Sequence, residues 1–220
     1  MNVANEQKPV GTLFILSAPS GTGKTTLAGR LVKLVPDLVI SRSYTSRVPR
    51  AEERDGVDYN FVSRPQFEQM VKQKQFLEWA EIFGELYGTV LIDAERELAN
   101  GQNALLVINV DGARQLIDRG YEVVKIFILP PSLLDLEMRL KHRNPNMQDT
   151  DMKQRLDTAK REIQACREYD HIVVNDDLDE CINELRTIVI GGETGLRSGT
   201  EDTARILSHF TAEFQDLDPS

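Results

Sequence analysis

The sequence predicts an α/β fold with a central parallel sheet, and three observations carry that prediction. Short, nearly all-apolar runs recur along it: Leu13-Phe14-Ile15-Leu16, Leu105-Leu106-Val107-Ile108, residues 123–129 and His171-Ile172-Val173-Val174. Strands covered on both faces read this way. Each run is followed by a segment of helical periodicity, and that alternation is the mark of a parallel sheet flanked by helices. The first run leads straight into Ser17-Ala18-Pro19-Ser20-Gly21-Thr22-Gly23-Lys24-Thr25-Thr26, a glycine-rich turn between a strand and a helix. A phosphate-binding loop requires that context, because successive backbone N–H groups and a helix N-terminus cradle phosphate oxygens. Ser20 to Thr26 (Ser20, Gly21, Thr22, Gly23, Lys24, Thr25, Thr26) are its expected nucleotide contacts. Lys24 reaches the bridging and terminal phosphates, and the Thr25 hydroxyl is the expected Mg²⁺ ligand. The usual pattern opens with glycine, and Ala18 stands there instead.

The elements follow in order. Residues 1–10 read as a flexible lead and residues 12–17 as the first strand. Residues 23–34 form a helix with Leu27, Ala28, Leu31 and Leu34 on one side, stopped by Pro36-Asp37. Residues 38–40 begin the second strand. Residues 41–56 are different, basic and hydroxyl-rich and then a charged loop. Residues 59–62 form a short strand. Ser63-Arg64-Pro65-Gln66 is a capping box with an early proline, and its helix turns Phe67, Met70 and Val71 inward. Residues 76–83 form a strand, with a turn at Gly84 and an aromatic segment through Tyr87. Strands and aromatics inserted between core helices make a small lobe, suited to binding an acceptor. Residues 92–100 are helical until Gly101, and residues 112–119 until Gly120. Pro130-Pro131 ends the 123–129 strand, and Ser132-x-x-Asp135 opens a helix to about residue 143. Asn144-Pro145-Asn146 interrupts it. A long helix with Leu156, Ala159, Ile163 and Cys166 inward runs from about 150 to 168. The last strand is 171–174, and Asp177-x-x-Glu180 caps a helix to about 190. Gly191-Gly192 marks a boundary. Residues 193–220 hold an amphipathic stretch at 204–214, able to pack on the core, pair with a partner or stay mobile. No internal repeat is present.

The 220 residues suit one sizeable domain with small inserted lobes. No apolar stretch spans a bilayer, and the polar N-terminus lacks a signal region, so a soluble, cytoplasmic protein is expected. With 26 Lys and Arg against 35 Asp and Glu, the net charge of -9 argues against a broad nucleic-acid surface. Local arginine clusters in an acidic chain point instead to dedicated anion pockets. Cys166 and Cys181 have neither metal spacing nor a disulfide framework and read as small buried hydrophobes.

Two such clusters stand out. Arg42, Arg47 and Arg50 flank Ser43 and Thr45, and guanidinium forks match phosphate oxygens in pairs. Val48-Pro49 stiffens the loop between them. Arg139, Arg143 and Arg155 form the second group. The first two lie four apart on one helix face and the third beyond the Asn-Pro break, as in a lid that closes over a transferring phosphoryl group. The inserted lobe adds Glu78, Tyr59 and Tyr87. A carboxylate accepts from a guanine ring N–H and exocyclic amine together, and tyrosine hydroxyls hold a phosphate. Asn175, after the last strand, is placed to read a donor base.

Over residues 11–190 this ordered set resembles the guanylate kinases. It comprises the Ser17–Lys24 loop, Ser43-Tyr44-Thr45-Ser46-Arg47-Val48-Pro49-Arg50, Gly56-Val57-Asp58-Tyr59-Asn60-Phe61-Val62, Phe76-Leu77-Glu78-Trp79-Ala80-Glu81, Tyr87-Gly88-Thr89, Ile128-Leu129-Pro130-Pro131-Ser132 and Ile172-Val173-Val174-Asn175-Asp176-Asp177. The resemblance implies a three-layer P-loop fold with a core (11–40, 90–135, 156–190), a GMP-binding lobe (41–89) and a helical lid (136–155), with 191–220 as an extension. It implies ATP with Mg²⁺ as donor and GMP or dGMP as acceptor, in a monomer or homodimer independent of membranes and nucleic acid. Arg47, Arg50, Tyr59 and Tyr87 match the binders of the GMP phosphate. Ser43, Glu78 and Thr89 match guanine-side contacts. Lys24, Arg47, Arg143 and Arg155 are the implied catalytic set, with Arg139 and Asn175 on the ATP side. The family's Asp-Ile-Asp-x-Gln-Gly after the third core strand reads Val107-Ile108-Asn109-Val110-Asp111-Gly112 here. Asn109, a substrate-side position, keeps hydrogen-bonding capacity without charge. Asp111 returns to the same face if the strand stays regular. Two other outcomes stay open: a P-loop kinase for another small phosphorylated acceptor, and a catalytically weakened regulatory or interaction domain.

Overall fold

The computed structural model describes residues 11–145, 147–191, 196–197 and 200–216. The lead at 1–10, Asn146 of the helix break and Gly192 of the boundary lie outside them. Strands are β1 (Leu13–Ser17), β2 (Leu38–Ser41), β3 (Tyr44–Thr45), β4 (Asn60–Phe61), β5 (Phe76–Ile82), β6 (Glu85–Val90), β7 (Asn103–Val107), β8 (Val124–Leu129), β9 (His171–Val174) and β10 (Leu196–Arg197). Helices are α1 (Lys24–Leu34), α2 (Arg64–Lys72), α3 (Leu91–Ala99), α4 (Val110–Asp118), α5 (Leu133–Arg143), α6 (Asp149–Gln164), α7 (Leu178–Val189) and α8 (Glu201–Asp216). A six-stranded sheet has the order β10-β9-β8-β1-β7-β2, and a four-stranded one the order β4-β3-β6-β5. The pairs β2/β7 and β8/β9 are parallel, as the apolar runs predict. Ala104 to Leu106 and Ile126 to Leu129 are all buried, which is why those strands carry no polar alternation.

The chain divides into two compact units. The first takes in the described residues up to Phe14, then Pro36–Val107 and Asp111–Val123. Its four-stranded sheet rests on Phe67, Phe76, Leu86 and Val90, with Tyr44, Val62, Met70 and Val71 packed at the edge. Phe67 and Phe76 stack at 4.3 Å. The capping box at Ser63 and Gln66 is formed as the sequence predicts and starts α2. Leu86 and Val90 face this core, so Tyr87 and Thr89 of β6 face the other way.

The second unit holds Ile15–Val35, Ile108–Val110 and the chain from Val124 onward. Leu136 and Leu140 of α5 pack with Met152 and Ala159 of α6, flanked by Met147 and Leu156. Helix α6 ends at Gln164 and tightens into a 3-10 turn over Ala165–Glu168, where a single helix to 168 is expected from the apolar stripe. The last strand is not β9: Leu196 and Arg197 pair antiparallel with Ile172 and His171. The amphipathic C-terminal stretch folds as α8 and packs on the unit. Leu207 and Phe210 are buried, Lys160 Nζ lies 5.6 Å from the Phe214 ring centre, and the Leu133 N–H donates to the Glu213 carboxylate at 3.2 Å. That carboxylate satisfies one of the orphan donors at the start of α5. Burial of Leu207 and Phe210 selects core packing among the three roles open to this stretch. Both cysteines are buried, and burial pushes each thiol up to about 12, so they are inert at neutral pH.

Candidate active site

The second unit carries the phosphate loop. Gly21 and Gly23 take φ of +97° and +98°, the left-handed region that side chains disfavour. A Cβ on Gly21 would lie 2.9 Å from Leu140 Cδ2, so the α5 packing also demands glycine there. Gly23 precedes α1, whose first turn holds no acid, leaving the positive end of the helix available to an anion. The Thr22 carbonyl accepts from Asn175 Nδ2 at 2.7 Å and Arg139 Nη1 at 3.4 Å, and Arg139 Nη2 donates to the Asn175 carbonyl at 3.1 Å. Arg139 and Asn175, expected on the ATP side, thus brace the loop from beneath. Lys24 Nζ donates to the Ile108 carbonyl at 3.1 Å. Arg155 Nη1 reaches Ser20 Oγ at 3.5 Å. Thr25 and Thr26 are exposed on the first turn of α1, and Arg143 is exposed in the last turn of α5.

The first unit carries the residues expected on the acceptor side. Glu78 of β5 lies directly opposite Thr89 of β6, and both are buried, at 3% and 0% exposed. The Thr89 hydroxyl has no hydrogen-bond partner among the described residues. Tyr87, two residues earlier, shares that face of β6. Gly88 between them is required by close approach: a Cβ would sit 2.9 Å from the Glu78 carbonyl and 2.8 Å from Phe76 Cδ1. Ser43 is 9% exposed and precedes β3, a two-residue strand that the sequence pattern does not show.

Arg47 is held on several sides. Its Nε donates to Tyr87 Oη at 3.2 Å, and its Nη1 and Nη2 donate to the two Glu53 oxygens at 2.8 and 2.9 Å. Its guanidinium also lies 5.5 Å from the Tyr59 ring centre, and the Tyr59 and Tyr87 rings meet edge-on at 6.0 Å. Burial disfavours the Arg47 cation, but the bonds to Glu53 and Tyr87 outweigh it and raise its pKa. Burial likewise works to raise the Glu53 pKa, and the hydrogen bonds from Arg47 and the Arg50 backbone overcome it and lower it. Burial, then the neighbouring Tyr87, pushes the Tyr59 hydroxyl up, so it stays a proton donor at neutral pH. The structure therefore brings Arg47, Arg50, Tyr59 and Tyr87 together, and separately Glu78 with Thr89. Glu53 is absent from the sequence reading, where Ala51 to Gly56 is only a charged loop; the signal was an acid three residues beyond Arg50.

Two positions depart from expectation. Strand β7 ends at Val107, so the period-two relation between Asn109 and Asp111 does not extend that far. Asp111 lies in the first turn of α4 with its side chain 74% exposed, 3.7 Å from Arg114. Asn109 is half-buried just after the strand. Among the described residues no group of three or more His, Cys, Asp or Glu side chains is placed to hold a metal ion.

A glycine loop between a buried strand and a helix, with a lysine at the helix start, defines a P-loop nucleotide-binding protein of the α/β class. The guanylate kinase family model matches residues 10–191, and the chain belongs to that family. It is 42% identical over 188 residues to a guanylate kinase of Myxococcus xanthus, covering 85% of this chain and 90% of that one. A guanylate kinase of Koribacter versatilis is 45% identical over 193 residues, covering 87% and 82%. The crystal structure of guanylate kinase from Anaplasma phagocytophilum superposes with a TM-score of 0.70 at 33% identity, over 83% of this chain and 86% of that one. No helix among the described residues is long and apolar enough to cross a membrane.

Proposed function

We propose that the protein phosphorylates GMP and dGMP at the expense of ATP, by direct in-line transfer. The observation that carries this reading is the buried pair of Glu78 and Thr89, whose hydroxyl has no partner among the described residues, in the same unit as a clamp of Arg47, Arg50, Tyr59 and Tyr87, the last on the same strand as Thr89. A buried carboxylate beside a free hydroxyl suits the N–H edge of guanine, and two arginines with two phenols suit a monophosphate. Ser43 joins the guanine side, and Asn109 lends a neutral amide.

The donor phosphates rest on the backbone of Ser20 to Thr26, with Lys24 released from the Ile108 carbonyl to meet them. Thr25, exposed at the start of α1, fits a Mg²⁺ ion that stays mostly bound to phosphates and water. That ion neutralises charge on the donor phosphates when bound. Lys24, Arg143 and Arg155 on the donor side and Arg47 on the acceptor side supply the positive charge that offsets the phosphates, which is most of what this chemistry needs. The acceptor phosphate, with a second pKa of about 6, is already a nucleophile at neutral pH, so no general base is required. The reading is of a cytoplasmic enzyme working on free nucleotides, as a monomer or homodimer, with a net charge of -9 that disfavours nucleic acid.

Val107 and Asn109, where the resemblance leads one to expect acids, favour a second reading, a weakened nucleotide-binding domain. A coupled phosphotransfer assay with ATP against GMP, dGMP, AMP, UMP and CMP separates the two. Turnover confined to GMP and dGMP is expected, and failure with GMP overturns the proposal.

A further inference from the structure

Arg47 is the expected grip on the acceptor phosphate, yet its guanidinium is largely committed. Of the five N–H donors an arginine carries, Nε goes to Tyr87 Oη and one on Nη2 to Glu53 Oε1. The two on Nη1 go to the Val48 carbonyl at 2.9 Å and to Glu53 Oε2. One N–H on Nη2 remains among the described residues. Glu53, with its side chain 12% exposed, also accepts the Arg50 backbone N–H at 2.9 Å and Arg50 Nη1 at 3.5 Å. A single carboxylate therefore ties both arginines and the loop between them.

We infer that Glu53 is the positioning residue of the acceptor-phosphate clamp: it holds Arg47 and the Arg50 backbone in place while the remaining donors meet the phosphate. This inference rests on the acceptor reading above. Two guanidinium groups held near each other repel, and a shared, partly buried counter-ion offsets that repulsion. Fixing their rotamers beforehand also lowers the entropy lost when the ligand binds. The alternative is that Glu53 occupies the phosphate position and must leave. Donor counting favours the positioning role. Arg50 keeps its Nε and both Nη2 N–H groups among the described residues. Tyr87 Oη accepts from Arg47, so its own proton points elsewhere, and Tyr59 stays protonated. A phosphate dianion thus finds donors without displacing Glu53. Displacement would break four hydrogen bonds to a carboxylate that is mostly buried, a costly exchange.

The test is binding of GMP and of guanosine to the wild type and to Glu53→Ala and Glu53→Gln, by calorimetry or NMR titration, with KM and kcat measured alongside. Glu53→Ala should weaken GMP binding about 10- to 100-fold, the worth of charge-assisted hydrogen bonds lost at one site. Guanosine affinity and KM for ATP should not move, and KM for GMP should rise more than kcat falls. Glu53→Gln, which retains one acceptor oxygen without the charge, should fall between. GMP affinity equal to or tighter than wild type in Glu53→Ala would overturn the inference and mark Glu53 as a competitor. An equal loss for GMP and guanosine would overturn it in favour of a purely structural role. A wild type that binds GMP no more tightly than guanosine would instead strike the acceptor reading itself.

Discussion

On the proposed function, the donor and acceptor regions bind phosphate by opposite means. In the second unit the cradle is backbone: Gly21 and Gly23 turn it, and Asn175 and Arg139 brace its Thr22 carbonyl from below. In the first unit the clamp is side chain: Arg47, Arg50, Tyr59 and Tyr87 are set by one another and by Glu53. A backbone cradle recognises any polyphosphate and is insensitive to most side-chain changes. A side-chain clamp is selective and stands or falls with each charge. The proposed function therefore assigns substrate discrimination to the acceptor region and raw phosphate affinity to the donor region.

The largest break in that comparison is at Lys24, the side chain expected to reach the donor phosphates. Lys24→Met should cut turnover about 100- to 1,000-fold, the scale of losing one preorganised electrostatic contact to the transition state, while the thermal midpoint holds. Full turnover in that variant would remove Lys24 from the donor site. Next is Glu78, the buried carboxylate facing Thr89. Glu78→Gln should lower kcat/KM for GMP by about 10- to 100-fold and narrow the preference over AMP, with KM for ATP unmoved. A loss shared equally by GMP and AMP would make Glu78 a packing residue. Smaller again is Asn109. Asn109→Asp should raise GMP turnover by roughly two- to fivefold, under 1 kcal/mol of barrier. An unchanged rate would show that the neutral amide already suffices.

How much of this the sequence disclosed follows from the same contrast. The donor loop was legible in full because backbone geometry leaves its mark in glycines at fixed spacing. The parallel strands were legible because burial on both faces removes polar residues from Leu105-Leu106 and Ile126–Leu129. The acceptor arginines, Tyr59, Tyr87 and Glu78 were legible by residue type and their individual roles by resemblance, but their geometry was hidden because strands β3 and β4 are two residues each, too short for any period to register. Glu53 was hidden for a related reason: a charged loop is ordinarily solvated, and only the fold shows this partly buried carboxylate shared by two arginines. Asn175 shows the converse. Its position after β9 suggested a base contact, and the structure adds a brace that the position did not disclose, an amide N–H donated to the Thr22 carbonyl. Strand β10 was illegible, since two residues after a glycine-rich stretch carry no strand signal.

The smallest expected effect concerns pH, and it separates a clamp held by charge from a cradle held by backbone. Glu53 is partly buried, which alone would raise its pKa, but hydrogen bonds from Arg47 and the Arg50 backbone lower it below the ordinary 4.5. A carboxyl depressed in the folded state contributes stability above its unfolded pKa and loses it as pH falls through the folded one. The Arg47 pKa is raised, so the cation persists throughout, and only the acid limb titrates. Wild type should therefore be more stable than Glu53→Gln at about pH 6, and the gap in thermal midpoint should close towards about pH 3. Other carboxylates titrate alike in both proteins and cancel in the difference. A gap as wide at about pH 3 as at about pH 6 would mean that the Glu53 charge adds nothing to the clamp, and that shape alone holds Arg47 in place.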